Sequence, residues 1–341
     1  MTVQPKAPST INQYLAKPLT VGEPDISGAL VVYPVFGAEP RLVYISLVQA
    51  HTQGFIVKEL PGEASVRDLL VQNPLSVPVL IYEGEGVTGA QQNRTVDKSV
   101  LVGPGEQVRI PVSCVEAGRW DSERHLESFE PAPQTIQPGL RGSKSRQAAR
   151  ARYAGAEERA DQTAVWESVS ACAFDLGVDS DTESIDEIYE THREKLNQVS
   201  AGIHLRDGQI GSVVQIANQV KAVDLVSRSD VFAEIHAALV QGYSLDALAM
   251  DEQGDRSWDT DLGGQFLDEA MAARIHEADG IGMGRDFRFE SAGMAGAGLV
   301  SGDELIQLSV FSGEPETITA SEEDEPADFT AWIDRPSRRN R

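Results

Sequence analysis

The sequence predicts an α+β fold in which a β-rich N-terminal half, an antiparallel sheet or sandwich, packs against helices from the C-terminal half. Three observations lead to this prediction. Short apolar runs punctuated by Gly, Pro and Asn fill the chain from Leu19 to Val115. After Trp120 the composition shifts to Ala, Arg, Glu and Gln, which favour helix. Apolar runs with strand character then return near the C-terminus.

The predicted strands of the N-terminal half are ALVVYPVF, RLVYISL, FIVKEL, PVLIY, SVLV and VRIPVSCV. Their length and spacing are typical of a layered antiparallel sheet. ASVRDLLVQNP predicts either a strand or a brief helical turn before a bend at Asn73 and Pro74. A Pro-rich connection, FEPAPQTIQPGL, is predicted to lead out of this half.

Helix is predicted next, over SKSRQAARARYAGAEERADQTAVWESVSACAFDL, where Val165, Val169 and Cys172 give an apolar stripe. TESIDEIYETHREKL predicts a second helix with Asp181 or Thr182 as N-cap. Strands over QIGSVVQIANQVKAVDLV, a helix over VFAEIHAALVQGYSLDALAM and a hairpin over AGAGLVSGDELIQLSVF complete the domain.

The domain organisation follows from composition. We expect a flexible N-terminus over residues 1–17, a single α+β domain over 18–311 and a disordered acidic tail over 312–341. The 29 Lys and Arg against 53 Asp and Glu give a formal net charge of -24, which would repel a nucleic-acid backbone. No apolar run predicts a secretory signal or a membrane span.

The two cysteines, Cys114 and Cys172, do not indicate a disulfide framework, so we expect a reducing, cytoplasmic setting. The six histidines show no metal-ligand spacing. We therefore expect neither a metal site nor a cofactor.

The run EGEGVTGAQQNR is the strongest candidate for chemistry. Glu83 and Glu85 would lie on one face of a continuous strand, where neighbouring carboxylates shift each other's pKa. The glycines permit close approach of a ligand. Gln92 and Asn93 add amide donors, and Arg94 can grip a phosphate. The alternative is a glycine-rich connection whose arginine simply pairs with a glutamate.

The run IPVSCVEAGRW is the second candidate. Cys114 lies in an apolar strand and is predicted to be a buried, inert thiol. Glu116, Arg119 and Trp120 at the strand end are better site candidates, because Trp can stack on a base and Arg can bind an anion.

A basic island between residues 131 and 156 contains no acidic residue. It predicts either a collector of anionic substrate or a solvated helix face. Its cations are Arg141, Lys144, Arg146, Arg150 and Arg152.

Four blocks occur in the order PVLIYEGEGVTGAQQNRTVDKSVLV, IPVSCVEAGRW, DQTAVWESV and VKAVDLV. In these blocks the chain resembles the ARG and rhodanese-phosphatase-superfamily-associated protein domain family, over roughly Pro18 to Phe311; ARG stands for ADP-ribosylglycohydrolase. Members often have Asp-Gly-Glu where this chain has Glu83, Gly84 and Glu85. The family pattern carries over to Gln92, Asn93, Arg94, Glu116, Arg119, Trp120, Gln162, Trp166 and Asp224.

The family is named for the ADP-ribosylglycohydrolases and phosphatases with which its genes are associated in genomes. The resemblance therefore implies a role in a pathway that processes NAD-derived or ADP-ribosylated compounds. We expect a protein that acts on or binds an ADP-ribose-like, NAD-derived or other nucleotide-like anion, as a hydrolase or a lyase. The alternative is a non-catalytic ligand-binding or structural partner module for ADP-ribose-processing enzymes.

Roles are expected as follows. Glu85 and Glu116 would be catalytic acids or bases, or ligands of ribose hydroxyls, while Arg94 and Arg119 would bind phosphate and line one cavity with them. Trp166 would stack or pack. The other expected ligand-binding residues are Glu83, Gln92, Asn93, Trp120, Gln162 and Asp224.

Overall fold

The computed structural model describes residues 9–62, 65–118, 121–180, 182–251, 261–291 and 293–313. Residues 1–8 of the predicted flexible N-terminus and residues 314–341 of the predicted tail lie outside these ranges. Within residues 9–17, Ile11–Tyr14 form a 3-10 helix whose Ile11 and Tyr14 side chains are buried.

The largest sheet has nine strands. In spatial order they are β1 (Thr20–Val21), β3 (Leu30–Phe36), β13 (Gly211–Ile216), β14 (Gln219–Val226), β18 (Glu304–Ser312), β17 (Met294–Ser301), β16 (Arg285–Ser291) and β15 (His276–Asp279), with β2 (Asp25–Ser27) beside β3. All of its pairings are antiparallel.

Two smaller sheets come from the N-terminal half. The six-stranded sheet runs in the order β12 (Phe129–Thr135), β8 (Glu85–Gly89), β9 (Arg94–Val96), β11 (Gln107–Cys114), β6 (Asp68–Gln72) and β5 (Ile56–Lys58). The three-stranded sheet consists of β10 (Val100–Val102), β7 (Val79–Ile81) and β4 (Ile45–Ser46). Its β4 and β7 are parallel.

Six of the seven helices in the described ranges follow the two smaller sheets along the chain. The helices are α1 (Leu47–His51), α2 (Pro138–Tyr153), α3 (Gln162–Asp175), α4 (Ile185–Thr191), α5 (Arg193–Ser200), α6 (Ser229–Asp251) and α7 (Leu262–Ala272). A single-turn 3-10 helix spans Ser122–Arg124. In the described part of the chain, no helix combines the length and the apolar character that a membrane span requires.

Helices cover the nine-stranded sheet. Leu267 and Met271 of α7 belong to one buried cluster with sheet residues such as Val223. Phe232 and Leu239 of α6 belong to another buried cluster. The six- and three-stranded sheets share a third core, and α3 to α5 pack with parts of α2 and α6 in a fourth. The prediction of an α+β fold is confirmed.

The Pro-rich segment predicted to be a connection is strand β12, and that prediction is wrong. Among the described residues, the strand pairs with β8 and ends the six-stranded order. An edge strand tolerates proline because one row of its backbone N–H groups faces away from the ladder. The long predicted helix is likewise two helices, α2 and α3, and Asp161 caps the second.

The basic island was predicted to be either a collector of anionic substrate or a solvated helix face. It fits neither, because most of its cations pair with carboxylates from other elements. Arg141 and Lys144 are buried within α2. The pairs are Arg141 with Asp224, Lys144 with Asp97, Arg150 with Glu290, and Arg152 with Glu158 and Asp286. These cations therefore attach α2 to the sheets.

Candidate functional site

A solvent-open cleft lies where β8, β12 and the residues before β9 face helices α4, α5 and α6. Its volume, counted with its mouth, is about 1060 Å³. A recess of about 250 Å³ shares five lining residues with it and extends to Gly86 and Arg94. The cleft wall is rich in amides and hydroxyls, including Thr88, Asn93, Gln134, Tyr189, Asn197 and Gln241. Part of the EGEGVTGAQQNR run thus borders a cavity large enough for a small molecule.

Asp186 supplies a carboxylate to this cleft. Asn93 Nδ2 donates to Asp186 Oδ2 at 2.5 Å, and Gln134 Nε2 donates to Oδ1 at 2.6 Å. Asp186 stands in the first turn of α4, where its backbone N–H donates to the N-cap hydroxyl of Ser184 at 3.2 Å. The carboxylate is therefore held in one orientation by two side chains, Asn93 and Gln134, that are distant from it in sequence.

The turn between β8 and β9 places Asn93. Gly89 has φ +120° and Ala90 has φ +40°, so the chain reverses through left-handed conformations. Asn93 Oδ1 accepts from the backbone N–H of Gly89 at 3.1 Å and closes this turn. One side chain thus fixes the loop with its oxygen and reaches Asp186 with its nitrogen.

Arg94 lies beneath the cleft, with no part of its side chain exposed. Its Nη1 donates to Gln92 Oε1 at 3.0 Å, and its Nη2 is 3.8 Å from Oε1 of the equally buried Glu59. Burial raises the pKa of the Glu59 carboxyl, and Arg94 opposes that rise. The structure therefore places this guanidinium among protein partners. Arg94 pairs with Val87, so its side chain lies on the face of the sheet opposite to Gly86 and Thr88.

Glu116 joins the two sequence motifs. Its Oε2 accepts from the Asn93 backbone N–H at 3.2 Å, and its carbonyl accepts from Gln92 Nε2 at 3.0 Å. The backbone of Glu116 also forms an isolated antiparallel β-bridge with Ser184. Gly118 N–H donates to the carbonyl of residue 182 at 2.7 Å. The end of β11 therefore supports the segment that carries Asp186.

Arg119 and Trp120 lie outside the described residues. The expectation that Arg119 shares a cavity with Glu85, Arg94 and Glu116 stays a prediction. Of these residues, Arg94 is among those that line the recess. Glu116 accepts a hydrogen bond from the backbone of Asn93, which also lines it.

Gln162 and Trp166 lie on α3, behind β11. The Gln162 amide accepts from Cys114 N–H and donates to its carbonyl, both at 2.8 Å, so it continues the strand's hydrogen bonding. Trp166 is buried. Burial raises the pKa of the Cys114 thiol, and a hydrogen bond with Trp166 opposes part of that rise. Neither residue is among those that line the cleft.

Glu85 lies on the opposite face of β8 from the cleft. Successive side chains of a strand alternate between faces, and Gly86 and Thr88 are the residues of this strand that line the recess. Glu85 Oε2 accepts from Tyr82 N–H at 2.6 Å, and burial raises the pKa of Glu85 to about 7. Because Gly84, with φ +86°, turns the chain just before β8, Glu83 and Glu85 do not share a continuous strand.

Asp224 and Glu83 belong to a separate buried region around Arg141. Asp224 pairs with Arg141 at 2.7 Å, and neither side chain is exposed. Burial raises the pKa of Glu83, and the nearby Arg141 opposes this. The predicted site residues therefore divide into a cleft group and this interior group.

Sequence reasoning missed the cleft residues of α4 and α5. Their signal was a polar stripe at roughly helical spacing within the segment predicted to be helix, namely Asp186, Glu190, Arg193 and Asn197. Within the described ranges, no group of three or more His, Cys, Asp or Glu side chains is arranged to hold a metal ion.

The fold and the cleft define an α+β protein with an amide-lined cleft between a sheet and a helical layer. Residues 18–311 match the ARG and Rhodanese-Phosphatase-superfamily-associated Protein domain, and the chain belongs to this family. Searches of curated proteins and of solved structures return no match.

Proposed function

We propose that this protein binds a ribose-containing, ADP-ribose-like or NAD-derived molecule in the cleft and acts on it as a hydrolase or lyase, with Asp186 as the ligand of the ribose hydroxyls. The observation that carries the proposal is the Asp186 carboxylate, oriented by the amides of Asn93 and Gln134 at the wall of the cleft. The family description supports it, because ARG denotes ADP-ribosylglycohydrolase and the family is associated with such enzymes.

The chemistry of the cleft suits such a molecule. A carboxylate offers about four acceptor sites, so it can receive the two hydroxyls of a ribose diol in addition to protein donors. Asn197 and Gln241 present amides that can donate to or accept from a base edge. Arg193, an exposed residue that pairs with Glu190, lines the cleft and is the cation that we propose binds a phosphate.

A binding module without catalysis is the second candidate, and the positions of the expected catalytic carboxylates favour it. Glu85 faces away from the cleft, and Glu116 accepts from the backbone of Asn93. In either case the partners we propose are ADP-ribose-processing enzymes. The free thiols Cys114 and Cys172 fit a reducing, cytoplasmic setting.

The test is ligand binding by calorimetry and thermal shift with ADP-ribose, NAD and AMP. We expect at least one of them to bind, and its 2′-deoxy analogue to bind more weakly because one ribose hydroxyl is lost. Asp186→Asn should weaken binding about 10- to 100-fold, the range for a hydrogen bond to a charged group.

The matched control is Asp268→Asn, the same change at an exposed position of α7. It should bind as the wild type does. No binding by any ligand of the panel, or equal binding by Asp186→Asn, would contradict the proposal. Chromatography of the bound ligand after long incubation then separates the two candidates, since an enzyme consumes it and a binding module returns it unchanged.

A further inference from the structure

Two amide side chains on the wall of the cleft have orientations that the protein fixes, Asn197 of α5 and Gln241 of α6. The Ser200 hydroxyl donates its one proton to the Leu196 carbonyl at 2.7 Å. Ser200 can therefore only accept in its 3.1 Å hydrogen bond with Gln241, and Gln241 Nε2 is the donor. The second N–H of the same amide donates to Asn197 Oδ1 at 3.2 Å. Neither amide can flip without losing one of these bonds.

These bonds determine which polar atoms the two side chains offer to a ligand. They use both N–H groups of Gln241 and the oxygen of Asn197. The atoms that remain for a ligand are Gln241 Oε1, which is an acceptor, and Asn197 Nδ2, which is a donor. The pair therefore offers one acceptor and one donor on neighbouring side chains.

Apolar surface lies in the same cleft. Ala237 is one turn before Gln241 on the same face of α6, and Pro133 precedes Gln134 on β12. Ala237 and Pro133 both line the cleft, and both are exposed. The cleft, with a volume of about 1060 Å³ including its mouth, has room for a flat ring against this surface.

We infer that Asn197 and Gln241 recognise the hydrogen-bonding edge of a 6-aminopurine base, as in adenine. The 6-amino group donates to Gln241 Oε1, and the neighbouring ring nitrogen accepts from Asn197 Nδ2. Asn and Gln side chains read adenine through two such bonds because its edge carries one donor beside one acceptor. The inference rests on the proposed function in one respect, since it places the base of the proposed ligand in the same cleft. A purine without the 6-amino group has no donor for Gln241.

The test uses two bases that differ only in the amino group, 9-methyladenine and 9-methylpurine. Binding is followed by NMR in ¹⁵N-labelled full-length protein, through the side-chain NH2 signals of Asn197 and Gln241. We expect a saturable shift with 9-methyladenine and at least about tenfold weaker binding of 9-methylpurine. The inference is overturned if 9-methyladenine gives no saturable shift at these signals. It is also overturned if the two bases bind equally, which would mean contact with the apolar surface alone.

Asn197→Asp replaces the donor with an acceptor of nearly equal shape, so an oxygen then faces the ring nitrogen. This variant should weaken 9-methyladenine binding about tenfold or more, as read from the Gln241 signal. The matched control is Gln198→Glu, which makes the same exchange of amide for carboxylate at the next position of α5 and does not touch a residue that lines the cleft. It should bind as the wild type does. Both positions are exposed, so neither change threatens the fold. Equal affinities of the two variants would contradict the inference.

The two bases contain neither ribose nor phosphate, so their binding does not depend on the contact proposed for Asp186. A preference for 9-methyladenine, together with no effect of Asp186→Asn on ADP-ribose binding, would overturn the proposed function and leave this inference standing. Equal binding of the two bases, together with a loss of ADP-ribose binding in Asp186→Asn, would overturn this inference alone.

Discussion

Arg141 and Asp224 form a two-pronged ion pair in the interior, with Nη1 to Oδ2 at 3.0 Å and Nη2 to Oδ1 at 2.7 Å. The hydroxyls of Tyr82 and Tyr243 each donate to the same carboxylate at 2.6 Å. Burial alone would raise the pKa of Asp224, but Arg141 and the two hydroxyls more than offset it and hold that pKa below its ordinary value.

Arg141→Met should strongly destabilise the protein, because it leaves a charged Asp224 without its cation in the interior. We expect a loss of about 3 to 5 kcal/mol in the free energy of unfolding, measured by urea denaturation. The control is Arg41→Met, which breaks the ion pairs of an exposed arginine with Asp303 and Glu304. That change should cost less than about 1 kcal/mol. Similar losses for the two variants would contradict a structural role for the interior pair.

Gly84→Ala should destabilise the protein more than Gly54→Ala. Both glycines have positive φ, +86° and +100°, so both substitutions carry backbone strain of about 1 kcal/mol. An added Cβ at Gly84 would lie 2.7 Å from Arg141 Cδ, whereas one at Gly54 meets nothing within 4 Å. Thermal unfolding of the two variants measures this difference, and equal melting temperatures would show that Arg141 does not pack against Gly84.

Glu85→Gln should flatten part of the pH dependence of stability. Burial raises the pKa of Glu85 from 4.5 to about 7, so the wild type loses stability as pH rises through that window. The reason is that the carboxyl ionises in the unfolded chain while it stays protonated in the fold. The variant should be about 2 to 3 kcal/mol more stable at pH 8 and nearly unchanged at pH 4. Urea denaturation across this range checks the sign.

Glu158→Gln should act in the opposite direction. Burial raises the pKa of Glu158, but Arg152, Lys98 and Arg288 outweigh it and lower this pKa to about 2. The ionised carboxylate therefore stabilises the fold fully above pH 4.5, and this contribution is lost as pH falls toward 2. We expect the variant to lose about 1 to 2 kcal/mol at pH 7, allowing for solvent screening. A loss that persists unchanged at pH 2.5 would contradict this assignment.

Cys114→Ser should leave the fold and cleft binding intact. The thiol is fully buried, burial raises its pKa, and its Sγ donates to the carbonyl of Glu116 at 3.2 Å. A thiol protonated in this way is a poor nucleophile. In the native protein we expect alkylating reagents to modify Cys114 only after unfolding, as followed by mass spectrometry. A folded Cys114→Ser variant that no longer binds a cleft ligand would make this assignment wrong.

Local patterns predicted most of the listed strands of the N-terminal half, because their apolar runs are short and bounded by turn residues. RLVYISL is an exception, since it is strand only over Ile45–Ser46 and helix α1 begins at Leu47. ALVVYPVF contains β3, and PVLIY contains β7. Local patterns failed where tertiary position decides the outcome. The prolines of FEPAPQT are compatible with a strand only because β12 is an edge strand, and edge position depends on the whole sheet.

The candidate site was predictable only in part for the same reason. Asn93 and Arg94 of the first motif are among the residues that line the recess, but the Arg94 side chain lies on the opposite face of the sheet. The partner of Asn93, Asp186, lies 93 residues further along the chain. No local pattern joins these two, since a pairing between distant residues is set by how the sheet and α4 pack.

The interior cluster around Arg141 also constrains how the chain assembles. Arg141 reaches its carboxylate across 83 residues and Ser309 across 168, so the network forms only when α2, β14 and β18 have all docked. Contacts this distant in sequence make folding slow. We expect the pair to complete late, so its loss should accelerate unfolding far more than it delays refolding. On this expectation the salt bridge sets chiefly the lifetime of the folded protein.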